Sequence, residues 1–340
     1  STPKPSSAAS DVYKRQIFGF DKTLLETPRS ASVISIETIE QYGITDIDDL
    51  VVLAPGSFTQ SFFGAAGALD LRGTPGEVYF NGIRRLENPG NYSTPIGAAD
   101  RVDIVRGPAS PVSGPSRIGG FLNFVPKSAR AETGQYLEEP TGEISFTGGS
   151  LKKAVLSAEA GGPGTIRGKE FGFYVYGEVE DSDSYYDNTE VESNLLQATF
   201  NMDLNSKNRI AFGTMYYDFA SNQVAGWNRL TQELIDNGTY LTGDAQPLDV
   251  DGDGSISHQE YFAIDGFSPA DSPSTATMEL YTDMWALVPE TVGTAILKGN
   301  QVLVAPDDEL LSESIVVYFD HFLDINEAVS YTHLTLPTKA

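Results

Sequence analysis

Cysteine is absent from the 340 residues, which excludes a disulfide framework, a thiolate metal site and a cysteine nucleophile, and leaves the redox compartment open. Basic residues are scarce. Twenty-two Lys and Arg stand against 47 Asp and Glu, and the formal net charge of −25 opposes binding to nucleic acid or anionic headgroups while attracting cations. Only three histidines occur, His258, His321 and His333, and none belongs to a recognisable Ser/His/Asp grouping, so nothing points to an enzyme. No apolar run reaches the roughly 18 residues of a membrane-spanning helix. That absence leaves barrel strands untouched, because each needs only about ten alternating residues. With 40% apolar residues there is material for a sizeable core.

Two end stretches stand apart. Residues 1–16, with SSAASDVYKRQ at 6–16, and residues 329–340, VSYTHLTLPTKA, resemble translated sequencing-adaptor read-through and are set aside as non-native. The expectation is a gene cut on both sides, from which the signal peptide has been lost.

Between these ends the texture changes once. Residues 27–127 are dense in glycine and proline, with short β-branched runs and one helical stretch over 36–53, in which Ser35 and Asp46 are the N-cap signals and Pro55-Gly56 the stop. This reads as a small α+β domain over residues 17–135. Over 136–328 apolar and polar residues alternate in segments of eight to twelve, the period of strands with two different faces. Strands are expected near 142–149, 153–161, 170–182, 193–204, 208–219 and 313–323. Leu196, Ala198, Phe200, Met202 and Leu204 share one face of the fourth, and Gln197, Thr199, Asn201 and Asp203 the other. A soluble sandwich has the same period, so alternation alone does not separate the two.

Four blocks do. They are Leu69-Asp70-Leu71-Arg72-Gly73; Val78-Tyr79-Phe80-Asn81-Gly82-Ile83; Arg101-Val102-Asp103-Ile104-Val105-Arg106-Gly107-Pro108; and Ile118-Gly119-Gly120-Phe121-Leu122-Asn123-Phe124-Val125-Pro126-Lys127. In order and spacing they resemble the plug of TonB-dependent outer-membrane receptors, with Asn81 where that family usually has aspartate. The residues that carry the likeness are Arg72, Gly73, Asn81, Gly82, Arg101, Arg106, Gly107, Pro108, Gly119, Gly120 and Asn123.

Asn81-Gly82 suits a turn needing positive φ, Gly107-Pro108 stops a strand, and Gly119-Gly120 lets backbones approach closely. Arg72 and Arg106 are expected to pair with carboxylates of the barrel wall.

The resemblance implies an α+β plug followed by antiparallel strands of an incomplete transmembrane β-barrel, whose full count would be about twenty-two. It further implies an outer-membrane location, in contact with lipid, and uptake of a small-molecule ligand energised by the inner-membrane TonB complex. A ferric siderophore is the first reading of the ligand; oligosaccharide or cobalamin is the alternative. Phe62, Phe63, Asn91 and Tyr92 are the candidate ligand contacts on plug loops. The TonB box would lie upstream of Thr27 and is assigned to no residue.

A separate motif lies at residues 249–260. Asp249, Asp251, Asp253, Ser255, Ser257 and Glu260 occupy the six ligand positions of an EF-hand calcium loop, with Gly254 at the sharp turn. No entering helix precedes it, and residues 259–264 could begin an exiting one. With the first strand rising from the periplasm, as the resemblance implies, strand parity puts its host segment, about 221–311, outside the cell, where calcium as a structural ion would order a long loop. A secreted calcium-binding β-protein is the competing reading. The 196–204 strand discriminates, since its apolar face meets lipid in one case and a protein core in the other.

Overall fold

The computed structural model describes residues 30–62, 65–85, 93–107, 118–131, 135–222, 232–244, 247, 249–255, 257, 259–260, 289–291, 293–296, 298–302, 309–326 and 329–334. The chain divides into two compact units, residues 1–224 with 304–340, and residues 225–303.

The first unit begins with strand β1 (Ser30–Ser35) and helix α1 (Ile36–Tyr42). Ser35 caps the helix, its Oγ accepting from Thr38 N, and Gly43 ends it at φ +62, its N–H donating to carbonyls of the last turn. A 3₁₀ helix (Ile47–Leu53) follows, started by a reciprocal cap between Asp46 and Asp49. The single helical stretch expected over 36–53 is thus two pieces, because Gly43 takes the left-handed conformation that closes a helix. Both predicted caps are in place, and Ile39, Ile47 and Leu50 are the residues they deliver to the core.

Strands β2 (Ser57–Phe62), β3 (Ala65–Leu71) and β4 (Thr74–Pro75) form a small antiparallel sheet. Strands β5 (Glu77–Phe80), β6 (Ile83–Arg84), β7 (Ala99–Arg106) and β8 (Gly120–Pro126) join β1 in a five-stranded sheet of order β1-β7-β8-β5-β6, antiparallel except for β5 with β8. Strand β7 is buried along nearly its whole length, as a central strand covered on both faces is, and Arg101, Asp103 and Arg106 are buried with its apolar residues.

The second part of this unit is a seven-stranded antiparallel wall. Its strands are β9 (Thr141–Gly148), β10 (Ala154–Ile166), β11 (Lys169–Asp183), β12 (Glu190–Asn205) and β13 (Asn208–Asn222), continued by β16 (Glu309–Asn326) and β17 (Val329–Leu334). Each expected strand is present, and each pairs with its predecessor in the wall. The 329–334 stretch, set aside in the sequence reading, pairs with β16 from Leu334 opposite Asp320 to Val329 opposite Asn326.

Connections alternate in length. Arg167-Gly168 and Ser206-Lys207 make tight turns at one rim, while the links over 149–153, 184–189 and 223–308 all leave from the other. The faces alternate as well: Leu196 is 53% exposed, whereas neighbouring Gln197 is 1% exposed and turned toward the first part of the unit. Phe171, Phe200 and Phe212 stack in a row across β11, β12 and β13 with centroids 5.2 and 4.7 Å apart. One apolar cluster runs from α1 and β7 through to Tyr176, Leu195, Met215, Tyr217 and Tyr318 of the wall.

The second unit holds helix α2 (Gln232–Asn237), strands β14 (Thr239–Thr242) and β15 (Gly293–Ile296) in an antiparallel pair, and the loop of residues 249–260. No helix among the described residues is long and apolar enough to cross a membrane.

Candidate functional site: the signature network and its seat on the wall

Three of the four sequence blocks meet in one hydrogen-bond chain. Arg101 and Asp103 sit two apart on β7 and therefore on one face. The Arg101 guanidinium donates to both oxygens of Asp103, at 2.9 Å from Nε and 3.3 Å from Nη2. Asn123 of β8 donates from Nδ2 to the same carboxylate at 3.4 Å, and its Oδ1 accepts the Gly82 N–H at 2.8 Å. The β5–β6 turn is thereby tied to the sheet centre. Burial raises the Asp103 pKa, and the adjacent Arg101 charge opposes that rise.

The two positions of that turn, Asn81 at φ +49 and Gly82 at φ +76, have the backbone that a two-residue hairpin requires. At Gly119 a Cβ would collide with the Thr74 hydroxyl and the Leu71 carbonyl, and at Gly120, φ +145, with the Val105 carbonyl. The close approach expected of this pair is therefore real, and it is β7 and the β3–β4 corner that approach.

Arg72 and Arg106 depart from expectation. Arg106 donates from Nε to the Pro55 carbonyl at 2.6 Å, from Nη1 to Ser30 Oγ at 3.1 Å and from Nη2 to Ser32 Oγ at 2.9 Å. It staples the edge strand β1 to β7 and to the chain after the 3₁₀ helix. Burial and the nearby Arg72 charge both lower its pKa. Arg72 is exposed at φ +53 in the β3–β4 turn beside Gly73, its N–H bonded to the Gly56 carbonyl. Among the described residues neither arginine pairs with a wall carboxylate: the Arg106 guanidinium is taken up by the Pro55 carbonyl and the Ser30 and Ser32 hydroxyls, and Arg72 is exposed in its turn.

A second set of contacts to the wall comes from residues that the motif reading did not single out. The Lys127 carbonyl accepts from Gln197 Nε2 at 3.1 Å and Thr199 Oγ1 at 2.8 Å, and Ser128 Oγ accepts from Asn201 Nδ2 at 2.8 Å. The Lys127 ammonium pairs with Glu159 of β10 and lies 4.5 Å from the Tyr176 ring centroid, while the Tyr174 hydroxyl donates to Glu159 at 2.7 Å. The usable signal was the polar face of β12, whose Gln197, Thr199 and Asn201 all serve this segment.

Of the proposed ligand contacts, Phe63, Asn91 and Tyr92 and the side chain of Phe62 lie outside the described residues, as does Pro108 of the signature. Gly107 is buried and closes β7, its N–H donating to the Gly119 carbonyl.

In the second unit, carboxylate oxygens of Asp249, Asp251 and Asp253 lie within 4.8 Å of one another. Gly252 and Gly254 take φ +74 and +83, and their N–H groups donate to the two Asp249 oxygens. Glu260 turns inward, accepting from Val250 N at 2.8 Å and Asp251 N at 3.3 Å on Oε1, and from Ser257 N at 2.8 Å on Oε2. The Ser257 N–H and hydroxyl, followed by the other two amides, hold its pKa down to about 2. Ser255 donates its N–H to Asp253, and the Ser257 hydroxyl accepts from Glu260 N. Gln259 and Glu260 are helical; residues 261–264 of the expected exiting helix lie outside the described residues.

A signature-bearing α+β domain packed on the inner, polar face of an up-and-down antiparallel wall defines the class: a plugged β-barrel. Residues 23–121 match the family described as TonB-dependent Receptor Plug Domain. The chain is 22% identical over 213 residues to the ferripyoverdine receptor of Pseudomonas aeruginosa, an alignment covering 60% of this chain and 24% of that protein. It is 32% identical over 124 residues to the probable TonB-dependent siderophore receptor PiuA of Acinetobacter baumannii, covering 35% and 16% respectively. The crystal structure of PiuA superposes with a TM-score of 0.62 at 16% identity, over 96% of this chain and 37% of that one. The chain thus spans about a quarter or less of the curated relatives' length. Residues 23–121 thus match a TonB-dependent receptor plug, and the strands that follow share the fold of part of such a receptor's barrel.

Proposed function

We propose that this chain serves in an outer-membrane receptor for TonB-energised uptake of a ferric siderophore, with the plug closing the barrel until a loaded ligand arrives. The carrying observation is the plug sheet seated on the polar inner face of the wall, with an apolar, aromatic-banded face turned outward. The relatives' own names, ferripyoverdine receptor and siderophore receptor, support iron-siderophore as the ligand class. The tight turns at Arg167-Gly168 and Ser206-Lys207 mark the periplasmic rim in this reading, and the long connections the extracellular one. The function is transport, and no residue is assigned a catalytic role.

The test is uptake of radioactive iron by iron-starved cells whose only siderophore receptor is the full-length protein. Accumulation that requires TonB and one siderophore class supports the reading; iron accumulation equal to that of receptor-less cells across all classes refutes it.

We further propose that the 249–260 loop takes calcium as a structural ion through Asp249, Asp251 and Asp253, with Ser255, Ser257 and Glu260 completing the shell. Occupancy requires Glu260 to exchange its amide donors for the ion. Calorimetric titration of calcium into the full-length receptor should show saturable binding that is lost in Asp249→Ala and Glu260→Ala. Identical heats in all three proteins return the loop to an acidic turn.

A further inference from the structure

The first position of the β5–β6 turn requires positive φ, and asparagine and aspartate meet that requirement equally. The wall distinguishes them. Asn81 Nδ2 donates to Asp320 Oδ2 of β16 at 3.1 Å. Asp320 is only 3% exposed, and its Oδ1 meets no hydrogen-bond donor among the described residues. The hairpin follows the inner face of β16 on either side of this contact. Phe80 meets the Tyr318 ring edge-on at 6.5 Å between centroids, and Arg85 Nη2 approaches Ser314 Oγ at 3.4 Å. Ser314, Tyr318 and Asp320 are separated by even intervals and share that face.

We propose that Asn81 and Asp320 form a complementary latch that seats the plug hairpin on β16 and holds this side of the lumen closed. The amide is needed because a carboxylate at position 81 has no proton to donate and would place a second negative charge within about 3 Å of the first, where both cannot stay ionised. The latch also has a release condition. When the hairpin lifts, Asp320 loses the donor that Asn81 supplies, and water must enter to replace it before the separated state becomes accessible. This inference concerns how plug and wall recognise each other, and stands whichever ligand the receptor carries.

Hydrogen exchange of residues 77–85 in the full-length receptor, embedded in lipid nanodiscs, reads the latch directly. Asn81→Asp should accelerate exchange in this hairpin by about tenfold or more, whereas Asp320→Asn, which keeps an acceptor, should change it by no more than about threefold. The double variant reverses donor and acceptor and should return exchange to within about threefold of the unaltered protein. If Asn81→Asp does not assemble, Asn81→Gly keeps the turn and deletes the amide. It should accelerate exchange when Asp320 is present and have no added effect when Asp320→Leu is already in place. Unchanged exchange in Asn81→Asp or Asn81→Gly, or a double variant as disturbed as the sum of its singles, overturns the latch.

Discussion

Replacing Asp103 by asparagine removes a counter-charge that the buried Arg101 guanidinium contacts at 2.9 Å, and breaking one half of such a pair costs about 3–5 kcal/mol. The expected outcome is a receptor whose plug loses protease resistance while the barrel persists, measured by limited proteolysis of Asp103→Asn beside the parent. Asp46 supplies a prediction with a pH dependence. Asp46 is exposed as a residue, yet the atoms packed around its carboxyl desolvate it and raise it to about 6 from 3.8, opposed by the Asp48 N–H and assisted by the like charges of Asp48, Asp49 and Glu180. A carboxyl whose folded pKa lies above its unfolded value costs nothing below pH 3.8. The cost grows between 3.8 and about 6 and is complete above that. Asp46→Asn keeps the cap acceptor and removes the charge. Its melting temperature should match the parent's below about pH 4 and exceed it above pH 6; equal shifts at both ends would show that the charge is not responsible.

At the scale of elements, the β7–β8 pairing depends on a position that admits no side chain. Gly120 combines φ +145 with a Cβ site occupied by the Val105 carbonyl and the Leu71 side chain, so Gly120→Ala should abolish slow hydrogen exchange in β7 and β8 together. Retained protection in either strand would show that the sheet can re-form around the methyl group. The outward faces of the wall strands make the opposite kind of claim, that an apolar residue is held there by lipid. Leu196→Arg on β12 should destabilise by about 2–4 kcal/mol if that position lies at mid-bilayer, read as a lowered temperature of the heat-induced gel shift. Strand placement and facing were legible because a period of two over residues 193–204 has one solution once one side is polar. The break at Gly43 was less so, since a glycine ends a helix only where the following chain is pulled toward another partner, here the capping turn at Asp46.

At the scale of the whole molecule, the wall has two strands, β9 and β17, that each pair on one side only among the described residues, and β9 is exposed along its entire length. Unpaired edges of this kind recruit further strands. Expressed by itself, the 340-residue chain should therefore fail to give a cooperative, monomeric unfolding transition in detergent; sedimentation combined with thermal melting would decide it.

What the sequence determined alone was local: four blocks whose order and glycine spacing identify a plug, six strand positions whose alternation assigns each residue to a face, two helix caps, and a loop with acidic residues at calcium-ligand spacing. These depend on neighbours a few residues apart, and such neighbours are written side by side. The partnerships were decided only in three dimensions. Arg106 serves Ser30 and Ser32 rather than the wall, Lys127 binds Glu159, and Asn81 finds Asp320 from 239 positions away. The choice among several available carboxylates and hydroxyls is made by which surfaces the apolar core presses together, and that core draws on α1, β7 and four strands of the wall at once.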